Sequence, residues 1–488
     1  MSLADLSALD LSGAVGRREA SCVEVMTDHL DRIEALDPVV NAVVARRPRE
    51  ELLAEAAAAD AELAAGRPRG WLHGLPVAVK DLNDVAGLPT SRGFVADAPP
   101  ATSDSLVASR LRAAGAIVVG KTNTPEFGLG SHTHNAVHGT TLNAWDQSRT
   151  AGGSSGGAAV AVALRMLPVA DGSDFFGSLR NPTGWNDVYG LRPSLGRVPQ
   201  VDGESWLSRG GVDGPVARTA ADLAALHRTL AGPDARDPLG LDGLGRPERL
   251  LDRRGSAGRP VRVGWLGDLG GHLPMEPEVL EICGRALPSF TALGMEVVEA
   301  ALPAHGRFGG PEDLWRTWLP WRHWLAGAAL APTYADPVLR ARMKPEARFE
   351  VEGLLGDGDR PPLSAHDVMV ASELRTDLYR GVLGLFEDVD LLVLPTAQVL
   401  PFDARLDWPR EVAGVAMSSY HRWMEVSALG TLLGTPVLAM PAGFSGDGLP
   451  MGLQVIGRPR ADDDLLALAA AWETVTDHHL RRPPLLGA

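Results

Sequence analysis

The feature that most constrains this chain is a lysine placed directly after an apolar run. Residues 75–79 are apolar and Lys80 follows them, in a sequence of 488 residues that contains three lysines in total. A short apolar run predicts a buried strand, so Lys80 is expected to lie, at least partly buried, at a strand end. Burial disfavours the ammonium form and lowers the pKa of a lysine from about 10.4 towards values at which the amine accepts a proton. Lys80 is therefore a candidate catalytic base.

The charge and the cysteine content exclude several classes of protein. The formal net charge of −15 argues against a nucleic-acid partner or an anionic membrane surface, because no broad basic field is present to hold phosphates. The two cysteines, Cys22 and Cys283, cannot form a disulfide framework and have no metal-ligand spacing. The N-terminal residues lack a signal-peptide pattern, and the longest apolar stretch, residues 158–170, is too short to cross a bilayer. We therefore expect a cytoplasmic protein with no membrane partner.

The apolar periodicity predicts alternating helices and strands, which is typical of an α/β protein. Ser21 and Glu24 have the spacing of a helix capping box, and apolar residues then recur at helical intervals. Further helices are predicted over residues 50–65, 105–114, 158–166 and 277–287. Short apolar runs between turn residues predict strands over residues 76–79, 116–119, 261–266, 295–298, 390–394 and 436–440. Loops rich in Gly, Asp, Arg and Pro are expected to be exposed at residues 234–258 and 356–362.

A second motif places two hydroxyl groups among four glycines. Residues 152–157 contain Ser154 and Ser155, and the glycines around them permit unusual backbone angles and the close approach of a substrate. A third serine, Ser178, follows in the glycine-containing segment 171–182. Taken alone, a Gly/Ser run is more typical of a flexible loop than of an active site. The interpretation therefore depends on the motifs that accompany it.

Together these segments resemble the amidase signature family of serine hydrolases. The resemblance rests on the order of the lysine motif, the double-serine motif and the segment around Ser178. It extends over short segments at residues 33–38, 40–44, 74–81, 120–127, 142–146, 190–193, 196–199, 214–219, 394–396, 434–436 and 448–454. Any one of these segments is weak evidence, whereas their order along the chain is specific.

The resemblance implies an α/β fold with a large mixed β-sheet sandwiched between helices. Because it covers almost the whole chain, a single domain of residues 1–488 is expected. Within it, residues 1–70 form N-terminal helices, residues 71–230 the catalytic core, residues 231–385 a variable insert that shapes substrate access, and residues 386–488 the last part of the same sheet. The N-terminal helices are candidates for a homodimer contact.

The resemblance also implies a catalytic role for each member of the lysine and serine motifs. Lys80 matches the general base, Ser154 the bridging serine that follows a cis peptide bond, and Ser178 the nucleophile. The chemistry is coherent, because a serine hydroxyl is a poor nucleophile until a neighbouring group removes its proton. Ser155 is the alternative relay, but the family spacing to the nucleophile favours Ser154.

The turn before the nucleophile is expected to supply backbone N–H groups for the oxyanion, from Phe175, Phe176 and Gly177. Most relatives carry a second glycine where this chain has Phe176, so the match is imperfect at this turn. The two rings either narrow the pocket or pack beneath the loop. Asp174 and Arg180 match positions that brace the nucleophile loop, and we rank them as supporting residues.

Further residues are candidates for the substrate pocket. The stretch that lies beside the acyl pocket in relatives corresponds here to Phe127, Gly130, Ser131 and His132. His132, His134 and His138 have a spacing that suggests a metal site, but no fourth ligand accompanies them, so we expect no metal. Four tryptophans at positions 315, 318, 321 and 324 form a stripe that is more typical of a core or interface than of a ligand wall.

The predicted function is hydrolysis of the carbon–nitrogen bond of a small, non-peptide amide through an acyl-enzyme on Ser178, without a cofactor. Esters and carbamates are also compatible with this route. One alternative is the glutamine-hydrolysing subunit of an amidotransferase that charges transfer RNA, and another is an inactive binding protein of the same fold. An α/β-hydrolase is disfavoured, because the residues before Ser154 are polar where that fold needs a buried strand.

Overall fold

The structure is a computed structural model that describes residues 2–207, 209–243 and 259–487. Its helices are α1 (Ala8–Gly16), α2 (Cys22–Val40), α3 (Arg49–Ala64), α4 (Leu106–Ala113), α5 (Gly156–Ala163), α6 (Asn181–Gly184), α7 (Ala220–Leu230), α8 (Pro277–Ala292), α9 (Asp313–Ala335), α10 (Pro337–Arg342), α11 (Pro345–Leu355), α12 (Ala365–Asp388), α13 (Ala428–Leu433) and α14 (Asp462–Trp472). Its strands are β1 (Val43–Val44), β2 (Pro76–Lys80), β3 (Ile117–Thr122), β4 (His134–Asn135), β5 (Gly139–Thr140), β6 (Val169–Asp174), β7 (Tyr189–Arg192), β8 (Val212–Ala217), β9 (Arg262–Trp265), β10 (Glu296–Glu299), β11 (Leu391–Pro395), β12 (Glu411–Val412), β13 (Val415–Ala416), β14 (Val437–Phe444) and β15 (Pro450–Ile456).

Eight strands form a large mixed sheet in the order β10-β9-β11-β15-β14-β7-β8-β6. Strand β9 pairs in parallel with both β10 and β11, whereas the remaining neighbours pair antiparallel. Helices α5, α6, α7, α8 and α14 all contact strands of this sheet. The α/β class and the helix-covered mixed sheet are therefore confirmed.

A second sheet has three strands in the order β1-β3-β2, and Lys80 is the last residue of its strand β2. Strand β2 runs parallel to β3 and lies beside β6, the edge strand of the large sheet. The backbone N–H of Lys80 donates to Asp171 Oδ1 of β6 at 3.1 Å. As the sequence predicted, Lys80 is the last residue of a buried strand, and its side chain points to the junction of the two sheets.

Helix α5 is completely buried near this junction. Each of its residues from Gly156 to Ala163 is buried, and small side chains let it approach both sheets closely. The double-serine motif immediately precedes it, and Ser155 is its N-cap residue. The buried apolar cluster of the molecule continues from Ala8 to Trp472, and this continuity supports the proposal of a single domain.

Most elements that the apolar pattern predicted are present. Ser21 caps α2 in a complete capping box with Glu24, and the helices predicted over residues 50–65, 105–114 and 277–287 correspond to α3, α4 and α8. The six predicted strands correspond to β2, β3, β9, β10, β11 and β14. The loop at residues 356–362 is largely exposed, as are residues 234–243, whereas residues 244–258 lie outside the described part.

Two elements differ from what local composition indicates. Strand β6 runs through Gly172 and Asp174, residue types that are depleted in strands. A Cβ on Gly172 would lie 2.7 Å from Leu179 and 2.8 Å from Ser155 Oγ, so close packing requires glycine there. Helix α9 contains Pro320 and Pro332 and continues through both. Across residues 2–207, 209–243 and 259–487, none of the helices has the length and apolar character to span a bilayer.

Candidate active site

The amino group of Lys80 is surrounded by serine hydroxyls. Lys80 Nζ lies 2.8 Å from Ser154 Oγ, 2.9 Å from Ser155 Oγ and 2.9 Å from Ser173 Oγ. The side chain is fully buried, and burial lowers its pKa to about 7, although the carboxylates of three aspartates oppose this shift. The amine is therefore neutral in a large fraction of molecules near neutral pH and accepts a proton from a neighbouring hydroxyl.

Ser154 and Ser155 occupy different environments although they are adjacent. The Gly153–Ser154 peptide bond is cis, as the resemblance implies, and Ser154 lines a small cavity. Ser155 Oγ instead donates to the backbone carbonyl of Ser173 at 3.2 Å and does not line that cavity. The backbone N–H of Ser155 donates to the carbonyl of Ser178 at 3.3 Å, which ties the double-serine loop to the nucleophile turn. Of the two adjacent serines, Ser154 is thus the one that both contacts Lys80 and lines the cavity, and Ser173 does so as well.

Ser178 lies on the turn between β6 and α6 and lines the same small cavity as Ser154. Its hydroxyl makes no hydrogen bond to another side chain or backbone group in the described part of the chain. Catalytic hydrogen bonds in ligand-free sites are often long and shorten only when the substrate binds. Lys80 thus contacts Ser154, and Ser154 and Ser178 line the same cavity.

Asp174 organises the nucleophile turn. Its carboxylate accepts hydrogen bonds from the backbone N–H groups of Gly177 at 2.9 Å and Leu179 at 3.1 Å. It also pairs with the guanidinium of Arg180 through two bonds of 2.9 and 3.0 Å, and with Arg192. Burial acts to raise the pKa of Asp174, but the two arginine charges outweigh burial and hold the pKa well below its usual range. The carboxylate is a fixed anion that holds the turn in place.

This bracing changes the predicted set of oxyanion donors. The N–H of Gly177 already donates to Asp174, so it is not available to a substrate oxygen in this conformation. The N–H groups of Phe175 and Phe176 have no acceptor within the described residues. Of the three predicted donors, Phe175 and Phe176 are therefore the ones that the geometry leaves open.

The two phenylalanine rings of this turn have different surroundings. Phe176 is buried and stacks on Trp318 of α9, with ring centroids 4.1 Å apart and planes 8° apart. Phe175 meets the edge of Trp318 at 5.3 Å and lies under the guanidinium of Arg322 at 4.8 Å. Phe176 thus packs against α9 and also lines the small cavity, and Phe175 forms a wall of that cavity. Trp318 connects the tryptophan stripe to the nucleophile turn, and Trp324 of the same stripe lines a separate cavity.

Two cavities meet at this wall. The small cavity has a volume of about 100 Å³ and is lined by Leu82, Phe127, Gly128, Leu129, Gly130, Ser154, Ser173, Phe175, Phe176, Ser178, Arg322, His421 and Met424. A larger cavity of about 830 Å³ shares Phe127, Leu129 and Phe175 with it. The larger one continues along residues 199–207 and residues 324–330 of α9. Ser178 lines the small cavity, and the larger cavity adjoins it through the three shared residues.

The predicted pocket residues divide into two groups. Phe127 and Gly130 line the small cavity, whereas Ser131 and His132 do not. Ser131 Oγ donates to the carbonyl of Gly153 at 2.9 Å, and both ring nitrogens of His132 are bonded to other protein groups at 2.7 and 3.1 Å. The polar atoms of Ser131 and His132 are hydrogen-bonded to protein groups, which explains why these side chains do not line the cavity.

The three histidines of this segment do not converge on one point. His134 contacts Lys344, whose Nζ donates to its backbone carbonyl, and His138 Nε2 lies 3.1 Å from Ser91 Oγ. Only the rings of His132 and His134 are neighbours, with centroids 4.6 Å apart. The residues that the structure describes contain no group of three or more His, Cys, Asp or Glu side chains arranged to hold a metal ion.

Seven residues of the small cavity were not named as candidates from the sequence, namely Leu82, Gly128, Leu129, Ser173, Arg322, His421 and Met424. Ser173 precedes Asp174 in the same motif, so its proximity to the nucleophile was a usable signal. Arg322 follows Trp318 at helical spacing and shares its buried face. His421 and Met424 come from a distant segment, and no local pattern marks them.

Comparison with known proteins shows the family to which the chain belongs. The family model described as Amidase matches residues 24–466. An acylamidase from Rhodococcus erythropolis is 34% identical over 483 residues, covering 98% of this chain and 97% of that protein. A glutamyl-tRNA(Gln) amidotransferase component from Picosynechococcus sp. is 34% identical over 491 residues, covering 96% of this chain and 97% of its own.

Among solved structures, a bacterial aryl acylamidase of the amidase signature family matches with a TM-score of 0.85 and 28% identity. This match covers 98% of the present chain and 99% of the other chain. The fold and the site define an enzyme that hydrolyses carbon–nitrogen bonds. The chain belongs to the amidase family.

Proposed function

We propose that the enzyme hydrolyses small, non-peptide amides through an acyl-enzyme on Ser178. The observation that carries the proposal is the buried Lys80 Nζ, which lies 2.8 Å from Ser154 Oγ while Ser154 and Ser178 line one cavity. A base with a pKa of about 7 is matched to proton transfer at neutral pH. The three groups thus fit the roles of base, relay and nucleophile.

In the first half of the reaction, Ser154 accepts the proton of Ser178 while it passes its own proton to neutral Lys80. Ser178 Oγ then forms a bond to the carbonyl carbon, and the carbonyl oxygen gains the electron pair of the C=O π bond. The N–H groups of Phe175 and Phe176 donate to this oxyanion. Ser154 next donates its proton to the amide nitrogen and takes one back from the Lys80 ammonium, the C–N bond breaks, and the amine leaves.

In the second half, a water molecule attacks the acyl-enzyme. The same relay removes a proton from the water and returns one to Ser178 Oγ, which releases the carboxylic acid and restores the enzyme. The route uses protein groups alone. Esters and carbamates follow it as well, since both offer a carbonyl carbon and a leaving group that Ser154 protonates.

Because similar proteins are named acylamidase and aryl acylamidase, we choose anilides as test substrates. We expect acetanilide-type amides to be hydrolysed, and intact-mass measurement to detect an acyl adduct on Ser178. Ser178→Ala and Lys80→Met should each lower kcat by roughly three orders of magnitude or more. Ser109→Ala, at an exposed serine of α4, is the matched control and should retain activity. An adduct on another residue, or an active Ser178→Ala variant, would contradict the proposal.

One similar protein is named as an amidotransferase component, so glutamine is an alternative substrate to be tested. The small cavity argues for a less polar acyl group, because Leu82, Phe127 and Met424 form much of its wall. Glutaminase activity higher than anilide hydrolysis would favour the alternative. Failure of Ser178 to react with a fluorophosphonate probe, together with no hydrolysis of any amide, would favour the inactive binding protein.

Two further expectations belong to the same proposal. A homodimer that involves the N-terminal helices is checked by light scattering of the purified protein. A cytoplasmic location is supported by Cys22 and Cys283, which are both free and buried. Fractionation of cells that express the chain checks the location.

A further inference from the structure

A buried arginine forms part of the wall of the small cavity. Arg322 of α9 is 4% exposed, and its Nε donates to Glu350 Oε1 at 3.0 Å. Its Nη2 donates to the hydroxyl of Tyr420 at 2.8 Å. Its Nη1 has no acceptor among the described residues, although Arg322 lines the cavity that contains Ser178. The Nη1 group of the guanidinium, with its two N–H bonds, is thus left for a ligand.

The rest of the arginine is held rigidly. Glu350 is fully buried and also contacts His323 Nδ1 at 3.1 Å, and the Tyr420 hydroxyl donates to the same carboxylate. The guanidinium lies over the ring of Phe175 at 4.8 Å. A buried ion pair of this kind is weak evidence for stability, because well-packed apolar residues often replace such a pair without loss. Its position at the cavity wall therefore calls for a functional explanation.

We propose that Arg322 Nη1 donates a hydrogen bond to an uncharged oxygen in the acyl part of the substrate. This inference rests on the proposed amidase function and narrows its substrate class to amides whose acyl chain carries an ether, hydroxyl or keto oxygen. The small cavity takes the short acyl chain, and the larger cavity takes the amine. Arg322 is then a specificity-determining residue.

The charges around the cavity decide between an uncharged oxygen and a carboxylate. Arg322 is already neutralised by Glu350, and the neighbouring Arg422 pairs with Glu425 at 3.0 Å. Burial lowers the pKa of His421 to about 3, so this side chain is neutral at physiological pH. A substrate carboxylate would become a second buried anion beside Glu350, which is costly without a further cation. A neutral acceptor makes the same hydrogen bond without this cost.

Three anilides with the same amine test the inference. Methoxyacetanilide and butyranilide have acyl chains of equal length, and an ether oxygen in the first replaces a methylene in the second. Malonanilic acid carries a carboxylate instead. The quantity to measure is kcat/KM for each amide, and the ratio of the methoxyacetyl to the butyryl value is compared between variants. Intrinsic reactivity differences between the two amides cancel in this comparison.

The variants distinguish the effect of the free Nη1 group from the effect of the ion pair between Arg322 and Glu350. Arg322→Lys keeps the positive charge beside Glu350 but removes the planar fork of donors. The double variant Arg322→Met, Glu350→Gln removes both charges and leaves no unpaired buried ion. Arg316→Lys, on the same helix with 61% of its side chain exposed, is the matched control. Circular dichroism and thermal unfolding first establish that each variant is folded.

We expect the methoxyacetyl-to-butyryl ratio to fall roughly tenfold or more in both Arg322 variants, since a hydrogen bond to a charged donor is lost. The ratio should stay constant in the Arg316 control, and the unaltered enzyme should prefer methoxyacetanilide to malonanilic acid. An unchanged ratio in both Arg322 variants, or a preference for the carboxylate, would overturn the inference while leaving the proposed function intact. No hydrolysis of any anilide and no labelling of Ser178 by a fluorophosphonate would overturn both.

Discussion

Lowering the pH should remove activity through the protonation of Lys80. Burial lowers the pKa of this lysine to about 7, and only its neutral form accepts a proton from Ser154. With that pKa the neutral fraction is about 0.9 at pH 8, about 0.1 at pH 6 and about 0.01 at pH 5. Because activity needs the deprotonated group, kcat/KM should rise with pH and level off above the midpoint. The expected loss between pH 8 and pH 5 is roughly 90-fold.

The assay is hydrolysis of one anilide at constant ionic strength between pH 5 and pH 9, with kcat/KM taken because it reports the free enzyme. Samples returned from pH 5 to pH 8 must regain their activity, which excludes unfolding as the cause. Burial and the neighbouring Asp213 raise the pKa of Asp171 to about 7, so Lys80 and Asp171 titrate together and the midpoint belongs to the pair.

Asp171→Asn separates the two groups. The Asp171 carboxylate favours the ammonium form of Lys80, so its removal should move the midpoint of the profile to lower pH. Asn retains an oxygen for the Lys80 backbone N–H. Asp357→Asn, at an exposed loop residue, should leave the midpoint unchanged. A flat profile, a midpoint near the ordinary lysine value of about 10.4, or activity that falls as pH rises would refute the argument from burial.

Three further results are expected. Ser154→Ala should lower kcat by roughly 100-fold or more, whereas Ser155→Ala should lower it by less than about tenfold in the same anilide assay; equal losses would contradict the relay assignment. Trp318→Leu removes the ring stacked on Phe176, which we expect to position the oxyanion donors, and should lower kcat roughly tenfold with little change in KM. An unaltered kcat would show that the stack does not position these donors. Asp174→Asn leaves two buried arginines without their partner and should lower the free energy of unfolding by roughly 3–5 kcal/mol in denaturant titrations; a loss below about 1 kcal/mol would count against a bracing role.

Local signals were sufficient for many elements of the fold. Ser21 and Glu24 predicted the start of α2, and apolar runs predicted β2, β11 and β14, because cap chemistry and burial periodicity act over a few residues. The burial of Lys80 followed from the same logic. Strand β6 was not predictable in this way, because Gly172 is required by its close packing against Leu179 and Ser155, which lie outside the strand.

The candidate site also combines features that the sequence indicated with features that only long-range packing specifies. The motif order indicated Lys80, Ser154 and Ser178, and their catalytic roles remain predictions until the variants are measured. The sequence also suggested Gly177 as an oxyanion donor, but its N–H is bonded to Asp174. Which donor is free depends on a hydrogen bond between two positions of one turn, and no composition rule specifies that bond.

The sequence by itself predicted the α/β class and the position of Lys80 at the end of a buried strand, since these follow from local periodicity, and the family resemblance indicated Ser154 and Ser178 as site residues. Only the tertiary structure decided that Phe176 packs on Trp318, that Phe175 lines two cavities, and that Arg322 lines the same cavity as Ser178. Those contacts join residues that are far apart along the chain. Their geometry is set by the packing of α9 against the turn that precedes Ser178, which local sequence patterns do not encode.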